Sequence, residues 1–266
     1  MIEQNLPSRQ SPVPEERRRQ IAQLIREAGS VTVAGLEQKF GVSPMTVRRD
    51  LEVLEREGYA RRTHGGAVLP GLSGNEDSFQ ERLEKEIGRK ERLAHAAFTL
   101  LQPREAVFID SSTTAYFLAR LVVTQSLRIT VLTSSLPVMD LFAVNEAPNV
   151  DLVGIGGTFR KLTLSFVGPQ AVRSIAAHFA DKVFFSIKGL TSDGYLTDPD
   201  PLEAEVKRSM IEHAEKPVLL VDGSKFEQRG LTVITHISRL SLALVADAPA
   251  DRVEALSRAG IEVRHV

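Results

Sequence analysis

The chain has no cysteine and no tryptophan. Without cysteine there is no disulfide framework and no thiolate metal site, so a reducing compartment, the cytoplasm, is expected. The six histidines fall at no metal-ligand spacing, and neither a metal nor a cofactor is expected. No apolar run approaches the roughly 20 residues that a membrane span needs, so no membrane partner is expected. A formal net charge of -1 identifies no partner globally. Residues 1–14 are polar and proline-bearing, without an apolar signal core, and read as a flexible leader.

What is present is globular. Of 266 residues, 42% are hydrophobic and 25% charged, which supplies a sizeable core. The length suits two domains. Charge is uneven: residues 1–69 carry +2 and the remainder -3. That asymmetry is compatible with a nucleic-acid module on an acidic body.

The module reads as helix, helix, tight turn, helix, wing over residues 15–69. Ile21, Leu24, Ile25 and Ala28 form one helical stripe that Gly29 stops. Leu36 and Phe40 mark a second short helix ended by Gly41. Ser43 then suits an N-cap and Pro44 the first helical position of a third helix ending near Gly58. Residues 59–69 read as a hairpin turning at Gly65-Gly66. Residues 70–77, "PGLSGNED", are a linker by composition. Residues 79–101 read as one long polar helix.

At 100° per residue, Val47, Leu51 and Leu54 of the third helix face the core. Met45, Thr46, Arg49 and Arg56 face away, with Arg48 at the flank. That outer face suits a major groove: arginine to guanine edges, threonine or methionine to thymine methyls, and a flanking arginine to phosphate. Arg61, Arg62 and His64 precede a glycine pair that can approach a backbone closely. The candidate DNA contacts are Ser43, Met45, Thr46, Arg48, Arg49, Arg62, His64 and Gly65. The same face would also serve a winged helix that binds protein.

After Gln102 the texture changes. Apolar runs such as "AVFID", "ITVLTS", "KVFFSIKG" and "PVLLVDGS" alternate with helical patterns. Runs apolar on both faces and joined by helices imply an α/β domain, residues 78–266, with a covered parallel sheet. After one such run come Asp110, Ser111, Ser112, Thr113 and Thr114, a hydroxyl-rich strand-to-helix turn that can cradle an anion. Thr133, Ser134 and Ser135 repeat the scheme, and Gly156-Gly157 offers close backbone approach, with Arg160 and Lys161 nearby. A serine or threonine at such a turn is more often a plain helix cap; three such turns in one domain are better evidence. Lys188, Glu203 and Lys225 complete the candidate site, while Lys207 is expected to pair with Glu203 at i, i+4.

The stretch "SPMTVRRDLEVLEREGYARRTHGGAV" resembles the helix-turn-helix signature of the DeoR family of bacterial sugar-metabolism regulators. Asp110-Ser111, Thr113-Thr114, Gly156-Gly157, Gly168-Pro169, Asp181-Lys182, "EAEVKR" at 203–208 and Ser224-Lys225-Phe226 resemble that family's sensor domain. The resemblance implies a sensor fold related to ribose-5-phosphate isomerase and CoA-transferases. It implies operator DNA as one partner and a phosphorylated sugar or related metabolite as effector. The sequence departs from the family pattern at Ser112, Ser134 and Ile187-Lys188. A repressor released by its effector is expected, self-associating as a dimer or higher because paired operator half-sites need two heads. The competing readings are an isomerase-like enzyme, with Asp193, Glu203 or Asp222 as base, and a protein-binding adaptor.

Overall fold

The computed structural model describes residues 13–28, 30–57, 59–63, 65–68, 76–125, 127–258 and 260–266. It divides into two compact units, 1–75 and 76–266. Most of the expected leader and linker therefore lies outside the described residues.

In the first unit, α1 (Pro14–Ala28), β1 (Ser30–Thr32), α2 (Val33–Phe40) and α3 (Pro44–Arg56) precede a hairpin of β2 (Arg61–Thr63) and β3 (Gly66–Val68). Ile21 and Ile25 of α1, Leu36 and Phe40 of α2, and Val47, Leu51 and Leu54 of α3 form one core. Gly41 sits at φ 63, the left-handed conformation that turns α2 into α3. Asp50, buried on α3, takes Arg17 Nε at 2.6 Å and Arg18 Nη1 at 3.6 Å, which ties α1 to α3. The small sheet has the order β1-β3-β2. Strand β1 was not foreseen, because three residues carry no readable alternation.

The second unit begins with α4 (Phe79–Glu84) and α5 (Ile87–Phe98). The single long helix expected over 79–101 is thus two. Glu86 takes a left-handed φ of 53 at the break. The Lys90 ammonium donates to the Arg82 and Lys85 carbonyls at the end of α4, where carbonyls run short of intrahelical partners.

Then follow β4 (Ala106–Ile109), α6 (Thr113–Thr124), β5 (Ile129–Thr133), α7 (Leu136–Val144), β6 (Val150–Gly154), β7 (Thr158–Arg160), β8 (Ser165–Val167) and α8 (Pro169–Ala176). The remainder is β9 (Ala180–Phe185), β10 (Gly189–Leu190), β11 (Tyr195–Asp198), α9 (Pro201–Glu212), β12 (Ala214–Asp222), β13 (Thr232–His236), β14 (Leu242–Ala246), α10 (Ala250–Arg258) and β15 (Glu262–His265). Seven strands form one sheet in the order β15-β14-β12-β9-β4-β5-β6. Every pairing in it is parallel. One apolar cluster packs Phe185, Leu219 and Val245 with α8, α9 and α10; the other packs Ile109, Phe184 and Leu220 with α5 and α6. Burial on both faces explains why the central strands read as continuous apolar runs.

The chain enters this sheet at β4, winds outward through β5 and β6, then returns to β9 on the other side of β4. The order reverses between β4 and β9. Loops at the carboxyl ends of two such strands diverge and leave a crevice, where open α/β sheets bind ligands. Two small layers not read from the sequence flank it, the β7-β8 hairpin and the β10-β11-β13 sheet.

Candidate functional site

On the first unit, α3 starts at Ser43, whose hydroxyl accepts the Thr46 amide at 3.3 Å and lies 3.0 Å from the Thr46 hydroxyl. Burial of Val47, Asp50, Leu51 and Leu54 leaves Met45, Arg48, Arg49, Glu52 and Arg56 exposed. Met45 is 57% exposed. Among the described residues neither Arg48 nor Arg49 has an ion-pair partner. Arg62 is committed further than expected: its amide and Nε both donate to the Glu55 carboxylate of α3, at 2.8 and 2.9 Å. His64 lies outside the described residues. Gly65 is exposed, and a Cβ there would meet nothing within 4 Å. Gly66 has a different reason to be glycine: a Cβ would fall 1.9 Å from the Val31 carbonyl oxygen. Its lack of a side chain serves the β1-β3 pairing, not approach to a partner.

On the second unit, a cavity of about 250 Å³ opens at the β4/β9 reversal. The turn after β4 forms one wall. Ser112 caps α6 by accepting the Ala115 amide at 3.2 Å, and Ser111, Thr113 and Thr114 also line the space. Amides in the first turn of a helix lack intrahelical partners and carry partial positive charge. Lys188, after β9, and Lys225, after β12, line the opposite side with Arg82 of α4. Burial lowers the affinity of Lys225 for its proton; the adjoining Lys188 and Arg82 lower it further, against the pull of Asp222. Burial, with Lys225 as the next unfavourable neighbour, brings Lys90 down to about 8. Among the described residues, Arg82 Nε and Nη2 are buried without a hydrogen-bond partner. Buried donors normally find partners, and these two nitrogens stand among several cations, with Asp77, Glu86 and Asp222 also lining the space.

The other wall is a braced set of carboxylates. Asp110 is 1% exposed and sits one layer behind the cavity. It accepts from the Ser112 amide and hydroxyl at 3.0 and 2.5 Å, and from Lys207 Nζ at 2.6 Å. The expected Lys207–Glu203 pair is therefore replaced: α9 aims Lys207 inward at Asp110, with Asp198 at 3.8 Å. Glu203 instead accepts three hydroxyls, Ser111 at 3.0 Å, Thr163 at 2.6 Å and Ser165 at 2.5 Å. Burial opposes its ionisation, but Lys207 and the Ser165 and Thr163 hydroxyls hold it below the usual carboxylate range. Burial likewise works against the Lys207 charge, and Asp110, Asp198 and Glu203 outweigh it, raising its proton affinity. Asp198, also buried, is pushed up to about 7 despite Lys207.

The second and third turns expected in the cradle stand outside the cavity lining. The Thr133 hydroxyl donates inward to the Ile109 carbonyl at 2.7 Å. Ser134 and Ser135 lie under the β7-β8 hairpin: Phe166 donates its amide to the Ser134 carbonyl, and the Leu136 amide donates to Leu164. At Gly157 a Cβ would fall 2.6 Å from the Val167 carbonyl oxygen, so the close approach there packs β8 rather than a ligand. Gly156 is exposed. Asp193, weighed as a base, is exposed near the small sheet and does not line the cavity. Arg82, Lys90, Ser186 and Asp198 do line it and were missed. Arg82 and Lys90 sit in the charge-rich stretch that read as one long polar helix.

Comparison with known proteins joins the two units. Residues 17–71 match the DeoR-like helix-turn-helix domain, and residues 85–248 match the DeoR C terminal sensor domain. The chain belongs to the DeoR family. This DeoR-family chain is a DNA-binding transcriptional regulator with a sensor domain. It is 34% identical to a protein of Escherichia coli O157:H7 assigned as an aga operon transcriptional repressor, over 93% of this chain and 92% of that one. It is 31% identical to the transcriptional regulator GlpR of Haloferax volcanii, over 94% and 97%. It is also 31% identical to the glycerol-3-phosphate regulon repressor of Escherichia coli K12, over 88% and 91%. Among solved structures, ribose 5-phosphate isomerase A of Methanocaldococcus jannaschii is similar at TM-score 0.39 and 15% identity, covering 53% of this chain and 55% of that one. That likeness adds nothing to what the strand order already gives. Among the described residues no helix is long and apolar enough to cross a membrane.

Proposed function

We propose that this regulator is a repressor of a sugar or related carbon catabolism operon, and that a phosphorylated sugar releases it from operator DNA. The α3 face of exposed Met45, Arg48 and Arg49 with half-buried Thr46 enters the major groove, and the wing at Arg62 and Gly65 meets the backbone. Half-site reading calls for two heads, so the working form is a dimer or higher. A linker over residues 70–77 joins the head to the sensor.

The observation that carries the effector reading is the Arg82 guanidinium, two of whose nitrogens are buried and unpaired beside Lys188, Lys225 and the start of α6. A phosphate dianion supplies the acceptors this wall lacks. The sugar hydroxyls then face Ser111, Asp198 and Glu203. One relative agrees in class, the glycerol-3-phosphate regulon repressor of Escherichia coli K12.

The test begins by selecting a duplex from a randomised pool with the full-length protein. Gel shifts with three-, five- and six-carbon sugar phosphates, and with the same sugars unphosphorylated, follow. At least one phosphate should release the DNA while its unphosphorylated parent does not. Equal effects of both would sink the phosphate reading. Turnover of the same compounds, followed by NMR, would revive the enzyme.

A further inference from the structure

Glu76, near the end of the 70–77 linker, is the first described residue of the second unit, and one side chain grips it. Arg160 Nη1 and Nη2 donate to Glu76 Oε1 and Oε2 at 2.9 and 2.6 Å, a two-pronged pair. The same guanidinium reaches the Asp200 carboxylate through Nε at 3.2 Å, the Thr163 hydroxyl at 3.2 Å and Glu203 at 4.0 Å. The Arg160 side chain is only 15% exposed and that of Glu76 6%. Glu203 in turn accepts the Ser111 hydroxyl at the cavity wall. Just beyond Glu76 the chain is fixed independently, by the Phe79 amide on the Leu162 carbonyl and the Ser78–Glu81 capping box.

We propose that Arg160 is a positioning residue that carries the effector signal from Ser111 and Glu203 to Glu76, where the chain leaves for the DNA-binding unit. This rests on reading the cavity as the effector site. A guanidinium presents five N–H donors in one rigid plane, so it cannot be re-aimed at one carboxylate without loosening another. A ligand hydroxyl that engages Glu203 or Ser111 changes the share of Arg160 left for Glu76. The grip on the linker end thus has two arrangements, which the ligand stabilises unequally. Unequal stabilisation is what coupling between sites requires.

The test uses full-length protein, the duplex selected by the wild type, and sugar phosphates of three, five and six carbons, with inorganic phosphate as control. Three quantities are measured: duplex affinity, ligand affinity by calorimetry, and the ratio of duplex affinities without and with ligand. Glu76→Gln removes the charge at the chain end and keeps the shape; Arg160→Lys keeps the charge and loses the fork. Arg160→Lys should bind ligand and duplex within about threefold of wild type; Glu76→Gln, whose side chain also lines the cavity, should bind duplex within that range. Their ratio should fall to near one, where the wild type shows the roughly 5- to 150-fold typical of allosteric coupling. A wild-type ratio in Glu76→Gln overturns the relay and leaves the effector site standing. Loss of ligand or duplex affinity in both variants also overturns it, since a merely structural clamp would behave so. A wild type that binds none of the sugar phosphates removes the effector reading, and the relay with it.

Discussion

Lys207 Nζ lies 2.6 Å from Asp110 Oδ2, joining residues 97 apart in sequence, and their side chains are 6% and 1% exposed. The pair fastens α9 to the carboxyl end of β4 beneath the cavity. Removing one partner of a buried ion pair strands the other and costs about 3–5 kcal/mol. Lys207→Met should therefore lower the unfolding midpoint of the sensor unit by about 10 °C, at roughly 2–4 °C per kcal/mol for a unit of this size. Adding Asp110→Asn should recover much of that loss, because asparagine can keep the Ser112 bonds without a stranded charge. Calorimetry on both variants checks this. A double variant no better than the single one would mean Lys207 acts through something other than Asp110.

The outer face of α3 makes a separable claim. Arg49→Ala should weaken binding to the selected duplex by about 1–3 kcal/mol and relax preference at one base position. Arg48→Ala should weaken binding to all sequences more evenly and flatten the salt dependence by about one unit of slope. Fluorescence anisotropy over a salt series, with the selected duplex and a scrambled one, distinguishes the two. If neither change moves either duplex, α3 is not the reading helix.

The helices of the first unit were legible because each has a local signature: the stripe of α1, the Ser43-Pro44 start of α3, and Gly41 between them. The parallel sheet was legible because strands buried on both faces leave continuous apolar runs. Strands β7, β8, β10, β11 and β13 were not, since short segments at the sheet's margin carry no period. Within the site, Ser111 to Thr114 could be read because a strand, hydroxyls and a helix follow one another in sequence. Lys207 was misassigned for the complementary reason. Spacing on a helix names Glu203 as a neighbour, but which way α9 faces depends on Asp110, 97 residues away. Arg82 carried no local signal. Its meaning comes only from α4 lying over the mouth of the crevice.

Asp198 gives the cavity a pH signature. Burial raises its pKa to about 7, against an ordinary value of 3.8. The folded state therefore holds this proton more tightly than the unfolded state. Its contribution to stability is fully present below the unfolded value of 3.8 and is lost as pH rises through about 7. Asp198→Asn removes that loss. Relative to wild type, the variant should gain in unfolding midpoint from pH 4.5 up to about 7 and level off above it. Taking the difference between the proteins cancels the titrating groups that Asp198 does not touch, leaving Asp198 with its neighbours Lys207 and Glu203. Parallel profiles would mean Asp198 stays ionised in the fold.

The cationic wall makes the most discriminating prediction, because function and stability should move in opposite directions. Arg82 holds two buried, unpaired nitrogens, and an unsatisfied buried donor costs about 1–3 kcal/mol, more when charged. Without ligand, Arg82→Met keeps the aliphatic stem, removes that cost and relieves Lys90 and Lys225, whose proton affinities Arg82 lowers. The unliganded variant should melt higher than wild type. With ligand the order reverses. A charge-assisted bond of about 1.5–3 kcal/mol is gone, so the effector should bind roughly 10- to 150-fold more weakly. Lys225→Ala should weaken ligand in the same way, and Thr113→Val less, because it removes one neutral hydroxyl and leaves the amides of α6 in place. All three should keep duplex affinity in the absence of effector and fail to release DNA in its presence. Thermal melts with and without each sugar phosphate, run beside the gel shifts, read both sides. If Arg82→Met melts lower without ligand, the guanidinium is part of the fold's own bonding. If the melts rise but the effector still releases DNA at wild-type concentrations, the anion is held elsewhere than at this wall.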